Sequence, residues 1–240
     1  MDFSVRSREK EVIDFPEDMT PQEVEAVLDE LGLVNRWLGG QRASLAPAGQ
    51  WIRHLQGEHR IPRRVHVLDL GCGGADIPRQ LAAWGRSHGF EVCITALDNN
   101  LEACRVAHRD CLGFPEVAVL QADVHQLPFA ANSFDLSICS AFLHHFRQSE
   151  IVSILEDLAR VSRSAVIIND LHRHRLAYLG IRLLTRLFSR SPAVRHDGPL
   201  SVRKGFQRSD LERIVELLDV KRYSIEWRWA FRWVVNIGLD

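Results

Sequence analysis

With 240 residues, 46% of them hydrophobic and 25% charged, the chain is long enough to bury a sizeable core, which excludes a disordered or fibrous class. Its formal net charge of -1 excludes the basic bias of a nucleic-acid binder, and no apolar run reaches the roughly 20 residues of a membrane-spanning helix.

Residues 1–19 are of mixed charge and are expected to form a loose tail. Thr20, Pro21 and Glu23 then give a cap, a first-turn proline and a capping box. Val24, Val27, Leu28, Leu31 and Val34 recur at helical spacing until Gly39 and Gly40 end the run, and a second helix is expected to about His54. From Val65 the pattern becomes strand, turn and helix. Strands are predicted at 65–70, 91–98, 116–121, 134–140 and 165–169, mostly as near-continuous apolar runs, as in a parallel sheet covered on both faces. Helices are predicted at 77–88, 100–111 and 149–162, with Asn99 and Ser149 as caps for the last two. A helical insertion spans about 171–208, Ser209 and Glu212 start another helix, and 220–237 reads as a hairpin. There Trp227, Trp229 and Trp233 alternate with Arg228 and Arg232, which predicts a buried tryptophan face and an exposed arginine face. The expected fold is α/β: a doubly wound, mostly parallel sheet with helices on both faces and an antiparallel C-terminal strand. Two units are expected, an N-terminal tail with helices over 1–64 and the sheet domain over 65–240.

The segment VLDLGCGGAD (67–76) places a glycine turn directly after the first strand. In a dinucleotide fold this turn would seat a pyrophosphate on the following helix N-terminus. Here Asp76 stands where a third glycine would be, and Asp69 lies just before Gly71. Two carboxylates bracketing the turn repel a phosphate and suit a cationic ligand; S-adenosylmethionine, with its sulfonium and ammonium, is such a molecule. Asp76 as a plain N-cap is the alternative. Later segments follow in register: Asp98 in TALDNN can accept from ribose hydroxyls, and Asp123 in LQADVHQLPF from an adenine amino group, with Val124 against the ring. The fourth strand runs into FDLSICSAFLHHF.

These segments, from Val65 to Asp170, resemble the class I S-adenosylmethionine-dependent methyltransferases, in particular the branch with ubiquinone/menaquinone-type and small-molecule O-methyltransferases. The resemblance assigns Asp69, Gly71, Cys72 and Gly73 to the methionine end of the cofactor. It assigns Asp98 and Asn99 to the ribose, Asp123 and Val124 to adenine, and Ser140 to the cofactor floor. It also implies an N-terminal helical lid, in which Trp37 would meet substrate and Arg42 the methionine carboxylate; a simple helix corner explains the same residues. The product the resemblance implies is S-adenosylhomocysteine.

A small aromatic or lipophilic acceptor is expected. The fourth strand ends in CSAF, unlike the N/D-P-P-Y/F of enzymes that methylate nucleic-acid bases. A neutral histidine can take a phenol's proton, worth about 10²–10⁴-fold. His145 and His144 are the first candidates and His196, beside Asp197, the second; His172 and His174 follow the fifth strand. Asn169 and Asp170 can bind substrate or orient the base. No metal is expected. O-methylation leads, C-methylation of a quinone or polyketide ring is the alternative, and an NAD-dependent oxidoreductase or a non-catalytic cofactor binder remains from other classes. The 171–208 insertion resembles methyltransferases of bacterial aromatic polyketide and secondary metabolism. Within 173–190, Arg182, Arg186 and Arg190 form one stripe on an otherwise apolar helix, read either as a solvated face or as weak peripheral membrane contact. Five cysteines without a C-x-x-C pair, and no signal-like apolar stretch in MDFSVRSREK, point to a cytoplasmic protein.

Overall fold

The computed structural model describes residues 2–15, 18–58 and 64–239. The expected boundary at 64–65 adjoins residues 59–63, which lie outside this set, as do 16 and 17 of the expected tail. Two helices, α1 (Pro21–Trp37) and α2 (Gly40–Glu58), precede the sheet. The domain then runs β1 (Val65–Leu70), α3 (Asp76–His88), β2 (Val92–Asp98), α4 (Leu101–Asp110), β3 (Val117–Gln121), β4 (Phe134–Ser140), α5 (Gln148–Val161) and β5 (Ser162–Leu171). It finishes with α6 (Arg175–Phe188), α7 (Pro192–Lys204), α8 (Arg208–Leu217), β6 (Arg222–Arg228) and β7 (Arg232–Gly238).

The strand order is β3-β2-β1-β4-β5-β7-β6, with β7 antiparallel to both neighbours and the other pairings parallel. Order reverses between β1 and β4, the place where open α/β sheets bind ligands at their strands' carboxyl ends. The apolar runs divide by their period of two. Leu68, Leu70, Val166, Ile168 and Val235 pack with α5 and α8, and Val65, Val67, Ile94, Ile138 and Ile167 pack with α2 and α3.

Local chemistry sets the helix starts. Thr20 and Glu23 form the expected capping box on α1. Asn100, not Asn99, caps α4, because β2 continues through Asp98 and leaves Asn99 in the turn. Arg147, not Ser149, precedes α5. The expected Trp/Arg alternation holds at Trp233 and Arg228 but fails at the other three positions. A turn at 229–231 breaks the register, so Trp227 and Trp229 are exposed while Arg232 is buried in a strand covered on both faces. The expected loose tail is also corrected. Arg6 donates to the carbonyls of Lys204 (2.8 Å), His144 (3.0 Å) and Phe146 (3.1 Å), and its guanidinium lies over the Phe206 ring. A short 3-10 helix, Val12–Asp14, hangs its first N–H groups on the Asp197 carboxylate, at 2.9 and 3.2 Å. The N-terminal segment is thus a strap across the sheet's ligand-binding edge.

Candidate active site

A cavity of about 1550 Å³ opens at the switch point, with walls from the glycine turn, the ends of β2 and β4, α1, the strap, α6, α7 and the β6–β7 turn. This exceeds the roughly 300–1,000 Å³ of a single small-molecule pocket.

The glycine turn is shaped by backbone sterics. Gly71 has φ of +70° and Gly73 of +49°, conformations that side chains resist, and a Cβ on Gly71 would run into the Phe142 ring. The Gly71 N–H donates to the Leu97 carbonyl at 2.8 Å, and the Gly73 N–H donates to Asp98 Oδ2 at 2.8 Å. Asp98 therefore braces the turn, and its Oδ1 accepts the Asn100 N–H at 3.0 Å. Asp69 is fully buried nearby; burial, then the Asp98 charge, pushes its carboxyl up to about 8. Asp98 is raised too, chiefly by burial. Two buried carboxyls thus line the turn with too little positive charge to answer them. Asp76 differs. It begins α3, with Ala75 as the cap residue, and is already paired with Arg79 at 2.7 Å beneath Gly32 of α1. Cys72, Asn99 and Ser140 line the cavity.

Several expected residues lie elsewhere. Val124 is packed in the core, and exposed Asp123 accepts the His125 N–H at 2.9 Å; neither lines the cavity, whereas His125 does. Trp37 and Arg42 are exposed and outside the lining, because the lid wall is formed by the opposite face of α1, including Leu28, Leu31 and Asn35. Asn169 lies outside the cavity lining. Its amide nitrogen donates to Gly40 O (2.8 Å), Ser44 Oγ (2.8 Å) and Ser140 Oγ (3.1 Å), tying α2 to the sheet. Asp170 is buried and meets His144 Nδ1 at 2.8 Å, so it orients that ring instead of touching a ligand; burial raises it, but His144 and Arg6 hold it below the usual carboxylate range. His196 has a 57% exposed side chain outside the cavity wall, and its partner Asp197 serves the strap.

His144 and His145 do line the cavity. His145 Nδ1 meets Asp14 Oδ1 at 2.7 Å. Burial opposes ionisation of Asp14, yet its hydrogen bonds with the His145 ring and the Glu11 N–H, and the Lys204 charge, hold its carboxyl well below the ordinary range. Glu11, His144 and His145 bring three metal-capable donors together. Lys204 Nζ, 3.0 Å from Glu11 Oε1, already supplies the positive charge there. The sequence hid this cluster, since Glu11 reaches it from the strap.

The second residue missed from sequence is Arg232. It is buried in the cavity wall; one Nη donates to Asn35 Oδ1 at 2.9 Å, while Nε and the other Nη have no partner among the described residues. Burial lowers it to about 10, still cationic at neutral pH. These donors make Arg232 a cation with unmet hydrogen-bonding capacity behind the cavity wall.

Residues 67–165 match a family described as a methyltransferase domain. The cavity suits S-adenosylmethionine: buried carboxyls for a cationic end, an arginine with two unmet donors among the described residues for a carboxylate, and a turn that admits close approach. Similar proteins include a putative methyltransferase of Bacillus subtilis, YqeM, 26% identical over 54% of this chain and 50% of its own. A 2-phytyl-1,4-naphtoquinone methyltransferase of Nostoc punctiforme is 27% identical over 56% of this chain and 63% of its own. The domain thus spans between half and two thirds of those two relatives. Among solved structures, an S-adenosylmethionine-dependent methyltransferase from Aquifex aeolicus superposes with a TM-score of 0.61 at 17% identity, over 92% of this chain and 100% of that one. The fold is therefore the Rossmann-like methyltransferase fold. Among the described residues no helix is long and apolar enough to cross a membrane.

Proposed function

We propose that the chain methylates a hydroxyl oxygen of a small aromatic acceptor, with His145 as the general base. The observation that carries this reading is the Asp14–His145 pair on the cavity wall. S-adenosylmethionine, when bound, supplies an electrophilic methyl whose displacement leaves the bonding pair on sulfur.

The chain's own part is positioning and proton removal. An ionised Asp14 keeps the proton of neutral His145 on Nδ1, which leaves Nε2 as the lone-pair nitrogen. Nε2 takes the acceptor's hydroxyl proton as the new oxygen–carbon bond forms. His144, held by Asp170, stacks beside it with ring centroids 4.4 Å apart and fixes the wall. Asp69 and Asp98 answer positive charge at the cofactor end, and Arg232 holds a carboxylate. The lid helix α1 and the strap exclude water, and orientation of this kind contributes on the order of 7–11 kcal/mol.

Carbon methylation is the second reading, favoured by one observation. A 33% identical stretch, covering 29% of each chain, belongs to a ubiquinone/menaquinone biosynthesis C-methyltransferase of Rickettsia felis. The same base would deprotonate a hydroquinone hydroxyl and direct its ring carbon to the methyl. Incubation with methyl-labelled cofactor and a panel of phenols, hydroquinones and hydroxylated polyketides tests both. An O-methyl signal by NMR supports the first reading, a ring C-methyl signal the second, and no transfer to any member overturns both.

A further inference from the structure

Helix α6 carries an apolar ridge that faces solvent. Leu176, Leu179, Leu183, Leu187 and Phe188 are each 56–70% exposed, which a soluble surface does not require of five large side chains on one helix. At 100° per residue, the four leucines form one stripe. Ala177, Ile181 and Leu184, on one side of that stripe, line the cavity. Arg182 and Arg186, on its other side, are exposed and meet no carboxylate among the described residues, and residues 171–190 contain no acid at all.

The rim continues the pattern. His174, at the start of α6, stacks on Phe231 with centroids 5.1 Å apart, which joins α6 to the β6–β7 turn. That turn presents Trp229, 70% exposed and part of the cavity wall, and its Ala230 N–H donates to Leu38 O at 3.0 Å, next to exposed Trp37. Tryptophans at the edge of an apolar ridge, with an arginine stripe on its outer flank, match the chemistry of the interface between acyl chains and anionic headgroups.

We propose that α6 and the 229–231 turn dock this protein on an anionic lipid bilayer, with the ridge in the acyl boundary and the cavity mouth opening onto it. The arginines lie at headgroup level, and a lipophilic acceptor reaches the cavity without crossing water. The inference rests on this surface alone and not on which atom is methylated.

The test is co-sedimentation of the full chain with vesicles of phosphatidylcholine alone and of phosphatidylcholine mixed with phosphatidylglycerol. Binding to the mixed vesicles only, weakening as salt is raised, is expected. The double variant Leu179→Glu/Leu183→Glu, outside the cavity lining, should lower the bound fraction at least tenfold while calorimetric binding of S-adenosylhomocysteine stays unchanged. Arg182→Glu/Arg186→Glu should abolish the preference for the anionic lipid. No binding to mixed vesicles overturns the proposal, as does binding that both variants leave intact. A concentration-dependent dimer in light scattering that the leucine variant disperses also overturns it, since a second copy would then cover the ridge. Loss of S-adenosylhomocysteine binding by the unaltered chain would instead strike the methyltransferase reading.

Discussion

His145 Nδ1 and Asp14 Oδ1 lie 2.7 Å apart although 131 residues separate them in the chain. If His145 is the base, His145→Gln lowers kcat by about 10²–10⁴-fold with little change in cofactor affinity. Asp14→Asn releases the ring's tautomer; its cost lies between about tenfold and the ~10⁴-fold of an orienting carboxylate in a serine-protease triad. His196→Ala leaves the rate unchanged. Steady-state rates of the three variants decide the matter, and equal rates throughout would reduce the mechanism to positioning.

Asp69 gives a pH dependence with a definite sign. Its carboxyl ionises near 3.9 when unfolded but near 8 in the free protein, so raising the pH through that window destabilises the ligand-free fold. A cationic ligand favours the ionised form. S-adenosylmethionine affinity should therefore rise as pH approaches about 8, with release of protons seen by calorimetry in buffers of different ionisation enthalpy. Asp69→Asn should flatten that profile, weaken binding, and raise Tm of the free protein at alkaline pH.

Arg232 predicts a similar crossing of effects. Arg232→Met removes a buried cation with unmet donors, so the free protein gains stability or loses none. Affinity for S-adenosylhomocysteine should fall about 10- to 150-fold, the equivalent of about 1.5–3 kcal/mol for a charged hydrogen bond. 5′-Methylthioadenosine, which has no carboxylate, should bind wild type and variant alike. Equal losses for both ligands would assign Arg232 to packing alone.

The strap separates binding from turnover. Deleting residues 2–14 takes away Asp14 and Glu11 but leaves the glycine turn, Asp69 and Asp98 in place. S-adenosylhomocysteine titration should remain within a few-fold of the full chain, while methyl transfer falls at least as far as in Asp14→Asn. A deletion with full turnover would show that the strap only covers the site.

The parts of the fold legible from sequence are those whose cause is local. β1, β2 and β4 announce themselves because a strand buried on both faces must be apolar throughout, and α1 because Thr20, Pro21 and Glu23 solve its first turn within four residues. Asp69 and Asp98 were readable as charges beside a glycine turn, though not that Asp98 would spend both oxygens on backbone N–H groups. The strap was opaque because polar contacts hold it: Arg6 reaches carbonyls 138 and 140 residues away, a relation with no periodicity. Arg232 was misassigned because the alternation around it spans two strands and a turn, not one strand. Asn169 sat at a strand end where ligands bind, but α2 packs there and takes up its amide nitrogen.

The strap also bears on how the molecule is made. A ribosome delivers Asp14 190 residues ahead of Lys204, and Arg6 198 residues ahead of the carbonyl it grips. The strap's residues are thus among the last to find their place, and until α7 leaves the exit tunnel the nascent sheet holds an open cleft beside an untethered strap.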